Sequence, residues 1–371
     1  HINTHDVVLR YLRFRRGDLR TRDDALGGNP VANVMVDHVS ASWGLDENLT
    51  LYRHMVPVRG GPALKRPVEK ITIQWSISSE GLDRNNHAFG GTWGGEGCSF
   101  HHNLFACNTA RNPSIGMGGA FDFRNNVLFN WRHRTIDGGD GSSRVNLVAN
   151  YFQPGPATRA SVRDRICKID TRSRRYEYPG VGKWYVAENV VAGNPGVTAD
   201  NWAGVHYNPE QRDKQEIVPA ATERDVRVSE AFPSHPIRQQ GAEAAYRLVL
   251  ARAGASFPRR DAVDTRVIDS VRAGRPTFGD GIINAPDDVG GWPAYRPAPA
   301  PEDEDADGLP DAWETRHGLD PRDPADAHGD GDRDGYTALE ECVNGTDPTA
   351  FVDYTKPENN RNVFDSPESA Q

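Results

Sequence analysis

Two acidic segments late in the chain have the residue spacing of calcium-binding loops. From Asp303 the sequence DEDADGLPDAWE puts carboxylates at loop positions 1, 3, 5, 9 and 12 and a glycine at position 6. Alternate carboxylates of such a loop converge on one hard cation, the glycine permits a sharp turn, and the final glutamate completes the coordination. The predicted ligands of this first loop are Asp303, Asp305, Asp307, Asp311 and Glu314.

The second segment, DGDRDGYTALEE, is a less regular copy. It offers Asp330, Asp332 and Asp334, with Ala338 at the ninth position. Its closing ligand is either Glu340 or Glu341, which the spacing leaves open. Acidic runs are usually solvated linkers. Two glycine-punctuated loops a fixed distance apart nevertheless favour Ca²⁺ binding with a structural role.

The formal charge of −9, from 43 Lys+Arg and 52 Asp+Glu, is unevenly distributed. Residues 302–347 carry 16 acids and three arginines, so the rest of the chain is mildly basic. This asymmetry indicates one region that meets cations and another that meets anions. No apolar run approaches the roughly 18 residues that a membrane helix needs.

Short alternating segments recur through the first half of the chain and set the architecture. They start at Asp6, Asn33, Lys70, Gly97, Ala120, Arg144 and Lys183, with long Gly-, Asn- and Asp-rich returns between them. Alternation of β-branched or aromatic residues with polar ones is a strand pattern. Hairpins of a sandwich would instead have loops of about 2–5 residues. The repeat therefore favours an all-β, right-handed parallel β-helix.

Superposition of these segments aligns asparagines, and the aligned set predicts a ladder. If each repeat is one coil, the amides stack at a turn, where they bond to one another and to the backbone. The aligned residues are Asn103, Asn126, Asn150 and Asn189.

The rest of the chain divides by composition. The β-helix is predicted to span residues 1–290, with a helical flank at about 241–275 that caps or flanks the coils. A Pro-rich linker follows at 291–302, then the calcium module at 303–350 and a tail at 351–371.

Three stretches identify a family resemblance. They are RDDALGGNPVANVMVDHVSASWGLDEN, ITIQWSISSEGLDRNNHAFGGTWGG and SFHHNLFACNTARNPS. With NNVLFNW and NLVANYFQPGPAT they resemble the pectate lyase family (polysaccharide lyase family 1) over residues 6–207. The family's initial strands are expected to precede His1. The C-terminal loops resemble the calcium-binding repeats of thrombospondin type 3 and the dockerin-like tails of secreted bacterial enzymes.

The resemblance implies calcium-assisted β-elimination of a polyuronate. A base must remove the proton at C5, next to an ionised carboxylate that makes this proton very weakly acidic. A bound Ca²⁺ neutralises that carboxylate and stabilises the enolate-like charge. Water or a side chain then protonates the leaving oxygen.

The family's calcium ligands map onto the early coils. Asp24 matches one ligand and Asp46 best matches a second, with Glu47 as a competing choice and Asp23 as a helper. Stacked coils bring such a split cluster onto one face. The neighbouring Asp37-His38 pair is expected to satisfy itself inside a strand and to be structural.

Arg111, in ARNP, matches the first Arg of the family's Arg-x-Pro-x-x-Arg pattern, where it is the proposed base. Because the pKa of arginine exceeds about 12, the alternative role is a fork that clamps the substrate carboxylate. The sequence also departs from the family. Gly116 stands where the second Arg belongs, and His87 or Arg84 replaces a substrate-binding Lys. These losses weaken the case for unsubstituted polygalacturonate as the preferred polymer.

Further substrate contacts are expected on the following coils. Trp93 is predicted to stack on a sugar ring, and Arg132, Arg134 and Arg144 to bind anionic groups.

The sequence thus predicts a secreted, monomeric polysaccharide lyase with Ca²⁺ and an acidic polysaccharide as its partners. The alternatives are a β-helix glycoside hydrolase with two or three carboxylates near the cut bond, and a non-catalytic carbohydrate-binding β-helix. Basic residues lack a nucleic-acid motif context. Cys98 and Cys107 are candidates for a disulfide, which spacing does not decide.

Overall fold

The protein is described by a computed structural model that covers residues 1–84, 86–212, 215–296, 298–359 and 361. Most of the predicted tail, residues 360 and 362–371, lies outside the described residues.

Seven coils make up the first three fifths of the chain, and each coil contributes strands to three faces. The first coil contains β1 (Val7–Arg10), β2 (Arg13–Arg15) and β3 (Leu26–Gly27), and the second contains β4 (Ala32–Asp37), β5 (Ser40–Ser42) and β6 (Leu49–Thr50), followed by the hairpin β7 (Arg53–Val56) and β8 (Leu64–Pro67). The third to fifth coils contain β9 (Glu69–Gln74), β10 (Ile77–Ser79) and β11 (Thr92–Trp93); β12 (Cys98–His101), β13 (Leu104–Ala106) and β14 (Ser114–Ile115); and β15 (Ala120–Arg124), β16 (Val127–Phe129) and β17 (Ile136–Gly138). The last two coils contain β18 (Arg144–Val148), β19 (Tyr151–Gln153) and β20 (Cys167–Asp170), and β21 (Lys183–Ala187), β22 (Val190–Val191) and β23 (Val205–Asn208).

Equivalent strands of successive coils pair in parallel. The first sheet has the order β1-β4-β9-β12-β15-β18-β21, and the second has the order β2-β5-β10-β13-β16-β19-β22. The third runs β11-β14-β17-β20-β23, and a bridge between Leu51 and Trp93 joins it to the pair β3-β6. This arrangement is a right-handed parallel β-helix, as the repeat predicted.

Inward side chains stack in register along the coil axis. In the first sheet Ile73 pairs with Phe100, Phe100 with Phe123, and Phe123 with Leu147, all fully buried. Each such side chain contributes about 1.5–3 kcal/mol through its burial. A coil completes this core only by stacking on its neighbours, which is why the strand pattern had to repeat.

The predicted asparagine ladder is confirmed. Asn103 Nδ2 donates to Asn126 Oδ1 at 3.0 Å, Asn126 Nδ2 to Asn150 Oδ1 at 3.1 Å, and Asn150 Nδ2 to Asn189 Oδ1 at 2.9 Å. Each accepting amide also receives the backbone N–H of the preceding asparagine. Asn201 extends the ladder by accepting from Asn189 at 3.0 Å. The buried turn therefore satisfies its own polar groups.

A left-handed residue precedes each ladder asparagine and makes the bend between the first and second sheets. The φ angles of His102, Asn125, Ala149 and Glu188 are 56°, 54°, 53° and 62°. Such a conformation is uncommon outside glycine. The bonds of the following asparagine hold it in place.

The helix α1 (Pro195–Ala199) lies between β22 and β23. The chain after β23 contains the antiparallel pair β24 (Glu210–Arg212) and β25 (Gln215–Val218), then α2 (Glu223–Val226), α3 (Ala242–Arg252) and α4 (Ala262–Ala273). The last two helices pack Val249, Leu250 and Val267 against Ile77 and Val127. The predicted helical flank is thus present, and it covers the side of the coils.

A second compact unit comprises residues 294–371 together with Pro236–Arg238. It contains α5 (Asp311–His317) and α6 (Ala338–Asn344), each at the end of one acidic loop. Its small core holds Leu309, Ala327 and Ala338. None of the helices in the described ranges is long and apolar enough to cross a membrane. All four cysteines are free thiols, so Cys98 and Cys107 form no disulfide.

Candidate functional site

The turns that lead into the third sheet carry most of the predicted site. Asp24 lies just before β3, Glu47 before β6, His87 before β11 and Arg111 before β14. Because Thr92 pairs with Ser114 and Thr50 hydrogen-bonds to the backbone of Thr92, these turns stack along one side of the coils. Residues far apart in sequence therefore meet there.

Three carboxylates converge at this side. Ligand oxygens of Asp24, Asp46 and Glu47 lie within 4.8 Å of one another. The Glu47 N–H donates to Asp24 Oδ1 at 3.0 Å. Burial, reinforced by the neighbouring Glu47 carboxylate, raises the pKa of Asp24 to about 8. Such a site stabilises a bound cation, because a cation relieves both the burial of charge and the mutual repulsion.

Cations and donors balance two of the three acids. Arg111 donates to Glu47, whose Oε1 also accepts from Thr92 Oγ1 at 2.9 Å. Arg22 Nε lies 3.4 Å from Asp46 Oδ2, and His87 Nε2 lies 2.7 Å from Asp46 Oδ1. Asp24 has no cationic side chain within ion-pair distance in the described part of the chain. Hard oxygen ligands with incomplete charge balance suit Ca²⁺.

Phe89 packs its ring against three cationic or titratable side chains of the site, and the sequence analysis did not predict it. The Arg111 guanidinium carbon lies 4.3 Å from the centre of its ring, the Arg134 guanidinium carbon lies 5.7 Å away, and the His87 ring centre lies 4.1 Å away. The ring is 5% exposed. A cation over an aromatic face is attracted by the ring quadrupole. The aromatic residue in HAFGG, two positions after the candidate histidine, was the available signal.

The environment of His87 favours a neutral ring. Burial is the main cause that lowers its pKa; Asp46 opposes this shift, while Arg22 and Arg111 add to it. The His87 Nε2 atom contacts both the Arg22 guanidinium group and the Asp46 carboxylate, so the ring lies between a cation and an anion.

Tyr52 explains the departure at Gly116. A Cβ atom at Gly116 would come within 2.5 Å of the Tyr52 ring. The side chain expected of the family's second Arg has no room there unless Tyr52 moves. Arg53 stacks on the same ring at 4.9 Å. Tyr52 thus occupies the space of the absent arginine.

Several predicted site residues lie elsewhere. Trp93 is 1% exposed and donates to the Leu49 carbonyl at 2.9 Å, so its assignment to sugar stacking is wrong. Asp23 stands apart from the convergent cluster and pairs with Arg16 at 3.2 Å. Arg144 pairs with Glu96 at 3.5 Å.

Three further cations differ in their surroundings. Arg84 is exposed, with no ion pair within the described residues. Arg132 pairs with Asp83 at 2.6 Å, and Arg134 with Asp137 at 2.7 Å.

The sequence analysis missed Arg165, which continues a row of arginines. Arg111, Arg134 and Arg165 each lie three residues before one of the registered residues Ser114, Asp137 and Lys168. Arg165 donates to the His133 carbonyl at 3.0 Å and contacts His206 at 3.1 Å. Burial lowers its pKa. The row follows the coil axis away from the carboxylate cluster.

The Asp37–His38 pair belongs to the interior, as expected. Asp37 accepts from His38 at 2.7 Å, from Gln74 at 3.0 Å and from Arg10 at 2.6 Å. Its carboxylate is nearly fully buried, and these partners satisfy it.

In the second compact unit the first acidic loop also gathers carboxylates. Asp303, Asp305 and Asp307 form one group, and Asp307 also groups with Glu314 and with Asp326, which was not predicted. The predicted ligand Asp311 instead accepts from the Glu304 N–H at 2.8 Å and is absent from these groups.

The second loop groups Asp330, Asp332 and Asp334. The sequence leaves the choice between Glu340 and Glu341 open, and the two residues have different surroundings in the structure. Glu340 caps its own helix through Thr337 at 2.8 Å, whereas Glu341 is 1% exposed with both carboxylate oxygens unpaired. Burial raises the pKa of Glu341 to about 7.

Comparison with known proteins defines the family. No protein family model matches the chain. A probable pectate lyase C of Aspergillus flavus is 31% identical over 327 residues, which cover 86% of this chain and 67% of that protein. A probable pectate lyase C of Emericella nidulans is 32% identical over 333 residues, with 86% and 66% covered. The chain therefore belongs to the pectate lyase family. It is a polysaccharide lyase.

Solved structures are more distant. A Bacillus pectate lyase in complex with trigalacturonate has a TM-score of 0.41 at 16% identity, with 67% of this chain and 68% of that chain covered. Pectate lyase II of Xanthomonas campestris has a TM-score of 0.32 at 15% identity, with 63% and 74% covered. The sheet topology of the chain itself carries the fold assignment.

Proposed function

We propose that this protein is a secreted enzyme that cleaves pectate, or a related uronic-acid polymer, by calcium-assisted β-elimination. The observation that carries the proposal is the convergence of Asp24, Asp46 and Glu47 beside Arg111 on one side of the coils. The relatives' name, pectate lyase, supports the choice of polymer.

The three carboxylates would hold the calcium. When bound, Ca²⁺ supplies neutralisation of the substrate carboxylate and so makes the C5 proton more acidic. The incomplete charge balance at Asp24 supports this assignment. Thr92 and Arg111 keep Glu47 oriented, so its ligand oxygen is positioned before the substrate arrives.

Arg111 is proposed to act at the substrate carboxylate or at C5. Glu47 and the Phe89 ring restrict its guanidinium group to one orientation. A fixed fork suits bidentate binding of a carboxylate. Abstraction of the C5 proton would require this group to give up a proton against a pKa above about 12. The clamp role is the simpler of the two, and proton abstraction is the alternative that the variants described in the Discussion separate.

The row Arg111, Arg134 and Arg165 is proposed to bind successive uronate carboxylates, with Arg84 and Arg132 at its edge. Adjacent coils are about 4.8 Å apart, so the three guanidinium groups form a row of anion contacts along the coil axis. Arg165→Ala is expected to raise KM for long oligogalacturonates more than for a trimer. Equal changes for both lengths would contradict a distal role.

A direct assay tests the reaction. The purified chain is incubated with polygalacturonate and Ca²⁺ while the ultraviolet absorbance of the unsaturated product is followed, with EDTA as control and a panel of uronate polymers as substrates. Calcium-dependent absorbance is expected. New reducing ends without absorbance would indicate hydrolysis, and binding with neither signal would indicate a carbohydrate-binding β-helix.

For the C-terminal region we propose a structural calcium module at 303–350, joined to the β-helix of residues 1–290 by the linker at 291–302. The buried, unpaired carboxylate oxygens of Glu314 and Glu341 support it. The expected mature form is a monomer outside the cell, where calcium is abundant enough for such loops.

A further inference from the structure

The C-terminal unit is a tandem repeat of 27 residues that extends beyond the two acidic loops. Shifting the chain by 27 residues superposes Asp303 on Asp330, Glu314 on Glu341, and Asp320-Pro321 on Asp347-Pro348. The same shift places Asp326 on Asp353. Each repeat therefore supplies a loop, a helix and a trailing aspartate.

The backbone follows this repeat closely. Gly308 and Gly335 both have φ of 101°, and their N–H groups donate to the first aspartate of each loop at 3.2 and 3.1 Å. The helices end alike, since Gly318 and Gly345 have φ of 78° and 70°. The two copies thus share one backbone conformation and differ in their side chains.

Both copies bury carboxylate oxygens that have no donor, and the first copy has the larger set. Glu314 is 0% exposed, and neither of its carboxylate oxygens has a hydrogen-bond partner. Buried oxygens of Asp305, Asp307 and Asp326 are also unpaired. An uncompensated buried carboxylate is strongly unfavourable. A cation at the point where they converge removes that cost.

The trailing aspartates have different partners. Asp326 Oδ2 accepts a hydrogen bond from the Asp320 N–H at 2.9 Å, and the Asp326 carboxylate lies close to those of Asp307 and Glu314. Asp353 instead accepts from the Thr355 N–H at 3.1 Å and lies 3.2 Å from Lys356 Nζ. Within the described residues, the second copy has no group equivalent to Asp307–Glu314–Asp326.

From these differences we propose that the unit holds two calcium sites of unequal affinity, and that Asp326 closes the tighter one. This rests on the proposed calcium function of the module and adds its ligands and their order of filling. In this proposal the first site uses the five carboxylates of the two groups that share Asp307, namely Asp303, Asp305, Asp307, Glu314 and Asp326. The second uses the group Asp330, Asp332 and Asp334 together with the buried, unpaired Glu341. Because calcium affinity rises with the number of charged ligands and the rigidity of the site, the first site binds more tightly by on the order of tenfold.

Calcium titration calorimetry of the full, metal-stripped chain tests the proposal. The double variant Glu314→Gln/Glu341→Gln provides the baseline without module sites, so the two module transitions follow by difference. Asp326→Asn, which can still accept from Asp320, is expected to weaken the tighter transition about tenfold or more. The matched variant Asp353→Asn is expected to leave both transitions unchanged.

A converse variant tests the same difference by gain of affinity. Thr355→Ala/Lys356→Ala removes the Thr355 hydroxyl donor and the Lys356 charge from Asp353 and is expected to tighten the weaker transition. Equal affinities in the wild type, or equal responses to Asp326→Asn and Asp353→Asn, would overturn the inference. A baseline variant that binds as much calcium as the wild type would instead overturn the proposed calcium function of the module.

Discussion

The coils and the C-terminal unit both bury polar side chains, and they differ in what satisfies them. In the coils, Asn126 and Asn150 bond to each other and to the backbone, and nearly every polar contact of the turn stays within the protein. In the C-terminal unit, the buried oxygens of Glu314 and Glu341 have no partner. The asparagine turn is therefore satisfied by the protein itself, whereas the buried carboxylates of the C-terminal unit are not.

The Asp24–Asp46–Glu47 cluster is intermediate between these two cases. Arg111 balances Glu47 and Arg22 balances Asp46, whereas Asp24 has no cationic partner among the described residues. A partly balanced site holds a cation while leaving it available to a substrate carboxylate. A fully unbalanced, buried site suits a cation that stays in place. The comparison thus supports the proposal of a catalytic calcium in the coils and a structural calcium in the C-terminal unit.

Removal of calcium should have the largest effect, because the C-terminal unit and the coils are expected to respond differently. EDTA is expected to unfold the C-terminal unit, because the bound ion contributes about 4 kcal/mol at calcium concentrations about 1,000 times Kd. The coils should retain their structure. Limited proteolysis with mass spectrometry checks this, with cleavage expected within 303–350 and protection over the coils. Calcium-dependent cleavage within the coils would contradict it.

The variant Arg111→Ala should lower kcat/KM by about 10²–10³-fold or more, because one preorganised charged group at the reacting centre is lost. Circular dichroism should show an intact fold. Arg111→Lys separates the two roles: a carboxylate clamp loses its fork and KM rises, whereas a base changes the pH profile of kcat. Arg272→Ala, at an exposed position on α4 paired with Asp269, is the control. Full activity of Arg111→Ala would remove this residue from the mechanism.

A variant of the asparagine ladder tests whether hydrogen bonds within the protein, and not a metal ion, stabilise the coils. Asn150→Ala removes donors to Asn189 and Phe123 and an acceptor for Asn126. The free energy of unfolding should fall by about 3 kcal/mol, since several buried groups lose their partners. Urea unfolding with and without Ca²⁺ measures it.

Asn208→Ala, which loses a single contact with Asp170 at 3.0 Å, is the matched control for Asn150→Ala and should cost about 1 kcal/mol or less. Equal losses of unfolding free energy in the two variants would show that a ladder asparagine stabilises the fold no more than an ordinary hydrogen-bonded asparagine.

The smallest expected effect is a pH dependence of the coils. Burial lowers the pKa of His101 to about 3 and that of His102 to about 4. In the unfolded chain both rings take up protons below a pKa of about 6.5. Stability should therefore fall progressively as the pH drops below about 6.5 towards 4, because the unfolded state binds more protons.

Urea midpoints between pH 7.5 and 4.5 measure this dependence. His101→Gln/His102→Gln should flatten it, whereas replacement of the exposed His5 should not. An unchanged slope in the double variant would show that other groups control the acid limit.

Periodic features were predictable because they depend on local pattern. Alternation in segments such as KITIQWSI gave the strands, and aligned asparagines gave the ladder. Asp303, Asp305 and Asp307 lie within a few residues of one another, so spacing alone placed them together. Helical periodicity likewise predicted α3 and α4.

Errors arose where a side chain's direction or a distant partner decided the outcome. Trp93 faces the core because strand alternation turns it inward, which the sequence did not show at a two-residue strand. Asp311 and Asp326 exchanged roles because the fold of the loop, and not their spacing, sets which oxygens converge. Phe89, Tyr52 and Arg165 became visible only when coil stacking brought them beside residues 20 to 60 positions away.

The sequence by itself determined the repeating strands, the ladder, the spacing of carboxylates in the two acidic loops and the family resemblance, since each depends on local spacing and residue type. The tertiary structure decided which acids are balanced, which glutamate is buried, and that Tyr52 fills the space at Gly116. Charge balance and packing depend on distances between atoms of different coils, and these distances exist only after the coils have stacked.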